Sequence, residues 1–215
     1  MTTASVDKTV SNFKYEKDEV GMRKLVIGVA GASGVIYAIR LLEVLRDVSD
    51  IETHLVLSKA AHKTIAYETD STAKQIIALA DVHHSIDNIA ASISSGSFKT
   101  MGMVVVPCSM KTLSGIASSF SENLLLRAAD VTLKDRRPLV LLPRETPLHL
   151  GHLRLMVQVT EMGAIVLPPM PAFYHKPKTV DDIVNQTVNR TLDIFGIELE
   201  HDLFDRWSGP ANQQS

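Results

Sequence analysis

Five short apolar runs, rich in β-branched residues, alternate along the chain with segments of helical spacing. The runs span residues 24–30, 52–58, 102–108, 139–143 and 164–168. Strands that alternate with helices are joined by right-handed crossovers, which make neighbouring strands parallel. A parallel sheet is buried on both faces, so its strands are apolar throughout, as these runs are. The pattern predicts an α/β fold: a doubly wound parallel sheet in a flavodoxin-like or Rossmann-like three-layer sandwich.

The intervening segments predict the helices. Apolar spacing indicates helices over residues 35–46, 59–69, 72–80, 110–134, 150–162 and 180–196. The Ser-rich stretch 118–123 is expected to break the fourth of these in two. Thr179 and Asp182 have the spacing of a capping box for the last one. Residues 83–100 are the least regular, with His83-His84 expected in an exposed loop and residues 92–97 in a loop near the site.

Length, net charge and cysteine content limit the number of domains and the classes of binding partner. The 215 residues fit one domain over 23–209, with a flexible N-terminal extension over 1–22 and a disordered tail over 210–215. A net charge of −2 gives no support to nucleic-acid or membrane-surface binding. One cysteine excludes an intramolecular disulfide framework and fits a reducing, cytoplasmic location. His149 and His152 lack nearby acidic or cysteine ligands, so no metal site is expected.

Ligands of doubly wound sheets bind at the carboxyl ends of the strands, and the residues there are polar or small. The first strand leads into Gly28-x-x-Gly31-x-x-Gly34, where glycine permits close approach of an anion to a helix start. This is not the dinucleotide pattern, and Ser58-Lys59 replaces the acid that binds a ribose, which disfavours NAD. A tight turn without a ligand is the alternative.

Two further strand ends carry candidate residues. Ser109-Met110-Lys111-Thr112 opens a helix and could hold a second phosphate or a flavin edge, although Ser109 could act only as a cap. In Arg144-Glu145, the guanidinium could bind a phosphate in a bidentate manner, and the carboxyl group could donate a proton. The alternative is that the two side chains only form an ion pair with each other. Cys108 has no evident partner base and is expected to be a buried thiol.

The roles of other polar or aromatic positions are not decided by the sequence pattern. Arg127 and Lys134 lie on one helical face and could be a solvated basic surface. Tyr174 lies in a Pro-bounded loop and could be a lid residue or a buried anchor. Arg190 could be a surface residue, and Trp207 could plug the core from the tail.

An ordered series of segments resembles the UbiX-type flavin prenyltransferases, from about residue 23 to residue 209. The matching segments are GASG (31–34), SKAA (58–61), YETD (67–70), SSGSF (94–98), PCSMKTL (107–113), RAADV (127–131), KDRRPL (134–139), PRETP (143–147), PAFYH (171–175) and Arg206-Trp207. The related cysteine decarboxylases carry a PASANT signature where this chain has PCSMKT, so that branch is disfavoured.

The resemblance implies a metal-independent transfer of a dimethylallyl group from dimethylallyl phosphate to N5 and C6 of reduced FMN. The product, prenylated FMN, would serve a UbiD-type decarboxylase, in ubiquinone synthesis or aromatic-acid breakdown. By resemblance, the residues that bind FMN are Gly31, Ala32, Ser33, Ser58, Ser109, Met110, Lys111, Thr112 and Arg144. Those that bind the donor are Lys134, Arg127, Tyr174, Arg190 and Trp207, and the catalytic ones are Glu145, Ser33 and Glu68.

The resemblance further implies a homo-oligomer, a dodecamer, in which some residues serve a neighbouring subunit's site. Two other functions stay open from the residues. One is an FMN-dependent decarboxylase that acts directly on an aromatic acid, and the other is a flavin carrier that binds FMN without changing it.

Overall fold

Six parallel strands form one sheet in the computed structural model, which describes residues 21–209. The strands are β1 (Arg23–Val29), β2 (Ile51–Leu57), β3 (Val82–His84), β4 (Gly102–Cys108), β5 (Leu139–Pro143) and β6 (Ile165–Val166). The helices are α1 (Val35–Leu45), α2 (Lys59–Glu68), α3 (Ala73–Ile77), α4 (Met110–Ala117), α5 (Leu124–Lys134), α6 (Leu150–Glu161) and α7 (Val180–Ile194). The strand order is β3-β2-β1-β4-β5-β6, and every pairing is parallel.

Each face of the sheet carries its own apolar core, which confirms the predicted three layers. Along β1, Leu25 and Ile27 pack on one face, and Val26 packs on the other. Helices α1 and α7 cover the first face, whereas α4 and α5 cover the second. Because alternate residues of a strand point to opposite faces, only a strand that is apolar throughout can fill both cores.

The third strand is the one that the sequence did not predict. His83 and His84 lie in β3, so the expectation of a loop there was wrong, although His83 is exposed as expected. His54, 3% exposed on β2, has its Nδ1 2.9 Å from Nε2 of His84, and the two rings stack. Three residues are too short to show a strand period, and this pairing with β2 is a tertiary contact. The five predicted strands alone have the flavodoxin order, and β3 extends it to the Rossmann order.

The helix boundaries follow their local signals. The predicted break separates α4 from α5, and the Asn123 side chain accepts a hydrogen bond from Leu126 N–H to cap α5. The capping box of Thr179 and Asp182 opens α7, as predicted. His149 accepts a hydrogen bond from Gly151 N–H as the cap of α6.

The domain boundaries stay a prediction, because residues 1–20 of the proposed extension and the tail 210–215 lie outside the described residues. Within 21–209, no helix combines the length and the apolar character that a membrane crossing requires.

Candidate functional site

The ends of four strands are joined to one another at the carboxyl edge of the sheet. Ala30 N–H donates to the Pro107 carbonyl at 3.1 Å, and Ser58 N–H donates to the Val29 carbonyl at 2.9 Å. Arg144 N–H donates to the Cys108 carbonyl at 3.1 Å. These bonds place the starts of the loops after β1, β2, β4 and β5 side by side.

A cleft of about 290 Å³ opens at this edge. Five of the predicted cofactor-binding residues line it: Gly31, Ser58, Ser109, Lys111 and Thr112. They come from the ends of three strands that are far apart in sequence. The cleft lies between β1 and β4, where the order of the strands reverses, which is the usual ligand position in such a sheet.

Two helices begin at the wall of the cleft with serine caps. Ser58 Oγ accepts from Ala61 N–H at the start of α2, and Ser109 Oγ accepts from Thr112 N–H at the start of α4. The caps leave the other first-turn N–H groups without an intrahelical partner. Since these groups carry the positive end of the helix dipole, the cleft favours an anion such as a phosphate.

The start of α1 is arranged differently from the prediction. Gly34 N–H and Val35 N–H both donate to Glu68 Oε2, at 2.8 and 3.2 Å. A carboxylate of the chain therefore takes the N–H groups that the glycine turn was expected to offer to a bound anion. Glu68 thus fixes the turn that carries Ala32 and Ser33, where Ala32 is buried and Ser33 is exposed.

Gly31 has no room for a side chain. A Cβ built on it would lie 2.2 Å from Ala60 Cβ and 3.0 Å from the Ala60 carbonyl carbon. The glycine therefore sets how closely the β1 turn approaches the start of α2, and so the width of the cleft.

We expect Gly31→Ala to lower the free energy of unfolding by about 1–3 kcal/mol, the usual cost of overpacking. Affinity for the flavin that the sequence resemblance implies should fall as well, because the turn must shift within the cleft. Chemical denaturation and FMN titration measure the two effects. Adding Ala60→Gly should restore part of the stability, and a double variant as unstable as Gly31→Ala would contradict this account.

Arg144 faces the glycine turn. Burial raises the pKa of Tyr37, in the first turn of α1, and the charge of Arg144 partly offsets this rise. Glu145 is exposed, and its Oε1 accepts from Thr146 N–H at 3.0 Å. The guanidinium and the carboxyl group therefore emerge at the same edge as the cleft.

Cys108 is not a nucleophile in this site. The side chain is fully buried, and burial raises the pKa of its thiol to about 12. The thiol is therefore protonated at neutral pH, as expected for an inert core cysteine.

Arg127 and Lys134 lie at opposite ends of α5. Arg127 is in the first turn, next to the cleft residue Leu126, whereas Lys134 is the last residue of the helix. Arg127 Nε donates to the Ser94 carbonyl at 3.2 Å, and Lys134 Nζ lies 2.7 Å from Asp135 Oδ1. Lys134 and Gly96 adjoin the segments that lead into β4 and β5, at the amino edge of the sheet. The loop of residues 92–97 therefore contacts both Arg127 and Lys134, and it extends towards the edge of the sheet opposite the cleft.

Tyr174, Arg190 and Trp207 form a third group with the end of the described chain. Tyr174 and Trp207 are 47% and 63% exposed, so neither is a buried anchor or a core plug. Their rings meet edge to face with centroids 6.1 Å apart. Arg190 Nη1 donates to Asp193 Oδ2 at 2.9 Å.

Comparisons with known proteins bear on what this cleft binds. Residues 13–192 match the Flavoprotein family. The chain is 64% identical over 188 residues to the flavin prenyltransferase UbiX of Escherichia coli K12, with 87% of this chain and all of that protein aligned. The UbiX of Thauera aromatica is 59% identical over 191 residues, which cover 89% of this chain and 97% of that one.

The chain belongs to the UbiX flavin prenyltransferase family.

Solved structures of the UbiX family share the whole described fold. The crystal structure of AnUbiX (PadA1) in complex with FMN and dimethylallyl pyrophosphate has a TM-score of 0.84 and 50% identity, and covers 87% of this chain and 98% of that one. A dodecameric FMN-dependent UbiX-like decarboxylase from E. coli O157:H7 has a TM-score of 0.82 and 52% identity, and covers 86% and 99%. The peptidyl-cysteine decarboxylase EpiD, at 17% identity and a TM-score of 0.56, shares the fold alone.

The structure adds cleft residues that sequence reasoning missed. Asp87, Glu122 and Asn123 line the cleft, and Lys59 Nζ lies 3.0 Å from Asp87 Oδ1. Asn123 could have been found as the helix cap before an apolar run. Asp87 carries no such signal, because its segment reaches the cleft only through tertiary packing.

Proposed function

We propose that this chain, as a flavin prenyltransferase of the UbiX family, acts at the cleft between β1 and β4. The reaction transfers a dimethylallyl group from dimethylallyl phosphate to N5 and C6 of reduced FMN and yields prenylated FMN. The observation that carries the proposal is the convergence of Gly31, Ser58 and Ser109 with the starts of α2 and α4 in one cleft.

The residues of the cleft fit FMN. Gly31 brings a backbone close to the cavity, and Lys111 lines it. Arg144 lies outside the lining but close enough to the start of α1 for its charge to act on Tyr37. These features suit a phosphate monoester, which needs N–H donors and cations. Ser109 Oγ and Thr112 Oγ1, 3.1 Å apart, offer hydroxyl groups to a flavin edge. Reduced FMN supplies the nucleophilic N5 and C6 atoms, and the protein supplies position and charge.

Loss of phosphate from the donor requires stabilisation of the leaving group. A phosphate is a poor leaving group, so cations and a proton donor must surround it in the transition state. We assign the cations to Arg127, Lys134 and Arg190, and the proton transfer to Glu145 with Ser33. Tyr174 and Trp207 would line the path of the allyl group and exclude water.

Lys134 is assigned to the site of a neighbouring subunit. It lies near the starts of β4 and β5, whereas Glu145 follows the end of β5. A five-residue strand spans about 16 Å at 3.3 Å per residue. The two side chains of one subunit are therefore on opposite edges of the sheet, and a second subunit has to bring its Lys134 to the cleft.

An exposed apolar face on α6 supports assembly. Leu150, Leu153 and Val157 are 60%, 46% and 57% exposed and recur on one side of the helix. Contiguous apolar surface of this kind marks contacts between proteins. Together with the dodecameric relative, it supports a homo-oligomer, and we propose a dodecamer.

We expect Leu153→Glu to yield smaller assemblies, since a carboxylate would have to be buried in the contact. Native mass spectrometry or light scattering after size exclusion measures the mass. Val180→Glu, at an exposed valine on α7, is the matched control and should keep the full assembly. A Leu153→Glu protein of unchanged mass would exclude this face from the contact.

The direct test is an anaerobic incubation with reduced FMN and dimethylallyl phosphate, followed by the mass of the released flavin. A gain of one isoprene unit is the expected result, and a parallel reaction with the diphosphate decides which donor is used. Unchanged flavin mass refutes the proposal. Release of carbon dioxide from an aromatic acid by the protein alone would instead favour the decarboxylase.

Prenylated FMN would then pass to a UbiD-type decarboxylase, and we place this exchange in the cytoplasm. The free, buried thiol of Cys108 is compatible with that compartment. Reconstitution of an inactive UbiD-type apoprotein by the reaction mixture tests the transfer, and an apoprotein that stays inactive would argue against it.

A further inference from the structure

Asp193, near the end of α7, binds two arginines at once. Its Oδ2 accepts from Arg190 Nη1 at 2.9 Å and from Arg206 Nη1 at 3.0 Å, and its Oδ1 accepts from Arg206 Nη2 at 2.8 Å. Arg206 also donates through Nη2 to Asp202 Oδ1 at 2.6 Å and through Nε to Asp202 Oδ2. One guanidinium therefore bridges two carboxylates, in the bidentate geometry that gives the strongest ion pairs.

The charges of this network are stable at neutral pH. Hydrogen bonds from Arg206 are the largest cause of the lowered pKa of Asp193 and of Asp202. Both carboxylates are ionised well below neutrality, so the network persists over the pH range in which an enzyme of this kind is assayed.

The network fixes the chain next to an aromatic cluster. Trp207 follows Arg206 directly, and its ring contacts Tyr174 of the loop after β6. In the same cluster, the ring of Phe204 meets that of His175, with centroids 5.6 Å apart. The end of the described chain therefore packs against the loop after β6 through two pairs of aromatic rings, and Arg206 lies between the two aromatic residues of the tail.

Burial alone does not hold Trp207 in the described structure. Leu203 N–H donates to Oδ1 of the buried Asn189 at 2.8 Å, which anchors the tail four residues earlier. Beyond Leu203 the side chains of Asp205, Arg206 and Trp207 are exposed. Individual exposed ion pairs contribute little, whereas a guanidinium held by two carboxylates forms a network with defined geometry.

We propose that Arg206 is a positioning residue for the prenyl donor, acting through Trp207 and Arg190. It holds Trp207 against Tyr174, and it shares Asp193 with Arg190, so that the carboxylate of Asp193 does not pair with Arg190 alone. Without Arg206, Asp193 would pair with Arg190 only and draw its guanidinium away from the donor phosphate. This inference rests on the proposed roles of Tyr174, Arg190 and Trp207.

The network does not touch the residues that line the cleft between β1 and β4. On loss of Arg206, the affinity for FMN should therefore stay within about twofold of wild type, a difference of only about 0.4 kcal/mol. The KM for dimethylallyl phosphate should rise about tenfold, which corresponds to one lost interaction of ordinary strength.

Trp207 is the only tryptophan of the chain, so its fluorescence reports the position of the tail directly. In the full-length protein without flavin, Arg206→Ala should shift the emission to longer wavelength and increase quenching by acrylamide. Arg206→Lys should have an intermediate effect on both emission and donor KM, because a lysine cannot donate to two carboxylates in a fork. Asp202→Asn, which leaves Asp193 and Arg190 intact, should move the emission more than the KM.

Arg46→Ala is the matched control, since Arg46 is exposed after α1 and forms no ion pair within residues 21–209. Its emission and donor KM should equal those of wild type. If Arg206→Ala does not fold by circular dichroism, Arg206→Lys and Asp202→Asn decide the question.

Unchanged emission or unchanged donor KM in the folded Arg206 variants, with an active wild type, overturns the inference and leaves the proposed function standing. A raised KM without any change of emission also overturns it, because Arg206 would then act on the donor directly. A wild type that fails to prenylate FMN removes the proposed function and the donor role with it, while the emission still decides whether Arg206 anchors the tail.

Discussion

In the Glu145→Gln variant we expect FMN binding to persist while the rate of phosphate loss falls about 10²–10⁴-fold, the range for removal of a general acid. The amide keeps the size of the side chain and can still accept from Thr146 N–H, as the carboxylate does at 3.0 Å. It cannot deliver the proton that the leaving phosphate needs. The effect should therefore appear in the chemical step and leave the cleft intact.

Single-turnover measurement of prenylated FMN under anaerobic conditions gives this rate, and a flavin titration gives the affinity. Glu200→Gln, at an exposed glutamate outside the site, should match wild type in both. Turnover at the wild-type rate in Glu145→Gln would refute the proton-transfer role. A joint loss of flavin affinity and rate would assign Glu145 to binding.

Lys134→Ala should lower kcat/KM for the donor about 10²-fold, because a phosphate in the cleft would lose one of its cations. The geometry adds a sharper expectation. Lys134 and Glu145 of one chain lie at opposite edges of the sheet, so in the proposed assembly a complete site takes each from a different subunit. Two defective variants that assemble together should therefore complement each other.

An equal mixture of Lys134→Ala and Glu145→Gln chains, refolded or coexpressed so that the subunits exchange, tests this directly. If a site takes its lysine and its glutamate from two chains, about a quarter of the sites in a random symmetric assembly contain both wild-type residues. The activity of the mixture should then rise well above that of either variant alone. A mixture no more active than its components would contradict the proposed sharing of the site between subunits.

Much of the site could be predicted from the residues that follow each strand. Ser58 and Ser109 are helix caps at strand ends, and helix caps are local signals that need no tertiary information. The glycine turn predicts a functional role for Gly31, and the structure shows the close contact with Ala60 that forbids a side chain there. The ordered motifs then identified the family, which the comparisons confirm.

Other features depended on contacts between distant segments. The Glu68 carboxylate at the end of α2 accepts a hydrogen bond from Gly34 N–H at the start of α1, 34 residues away. No local sequence pattern predicts that hydrogen bond. The short strand β3 exists because it pairs with β2. Asp87 reaches the cleft through a segment that shows no periodicity.

Local periodicity, helix caps and turns are enough to predict the alternation of strands and helices, the three layers of the fold and the residues at the carboxyl edge of the sheet. Which of those residues share a cleft depends on tertiary packing. Packing separates Lys134 from Glu145 by the length of a strand, and it joins Arg206 to Asp193. The difference arises because burial patterns fix which face of an element points inward, whereas distances between side chains depend on how the elements pack.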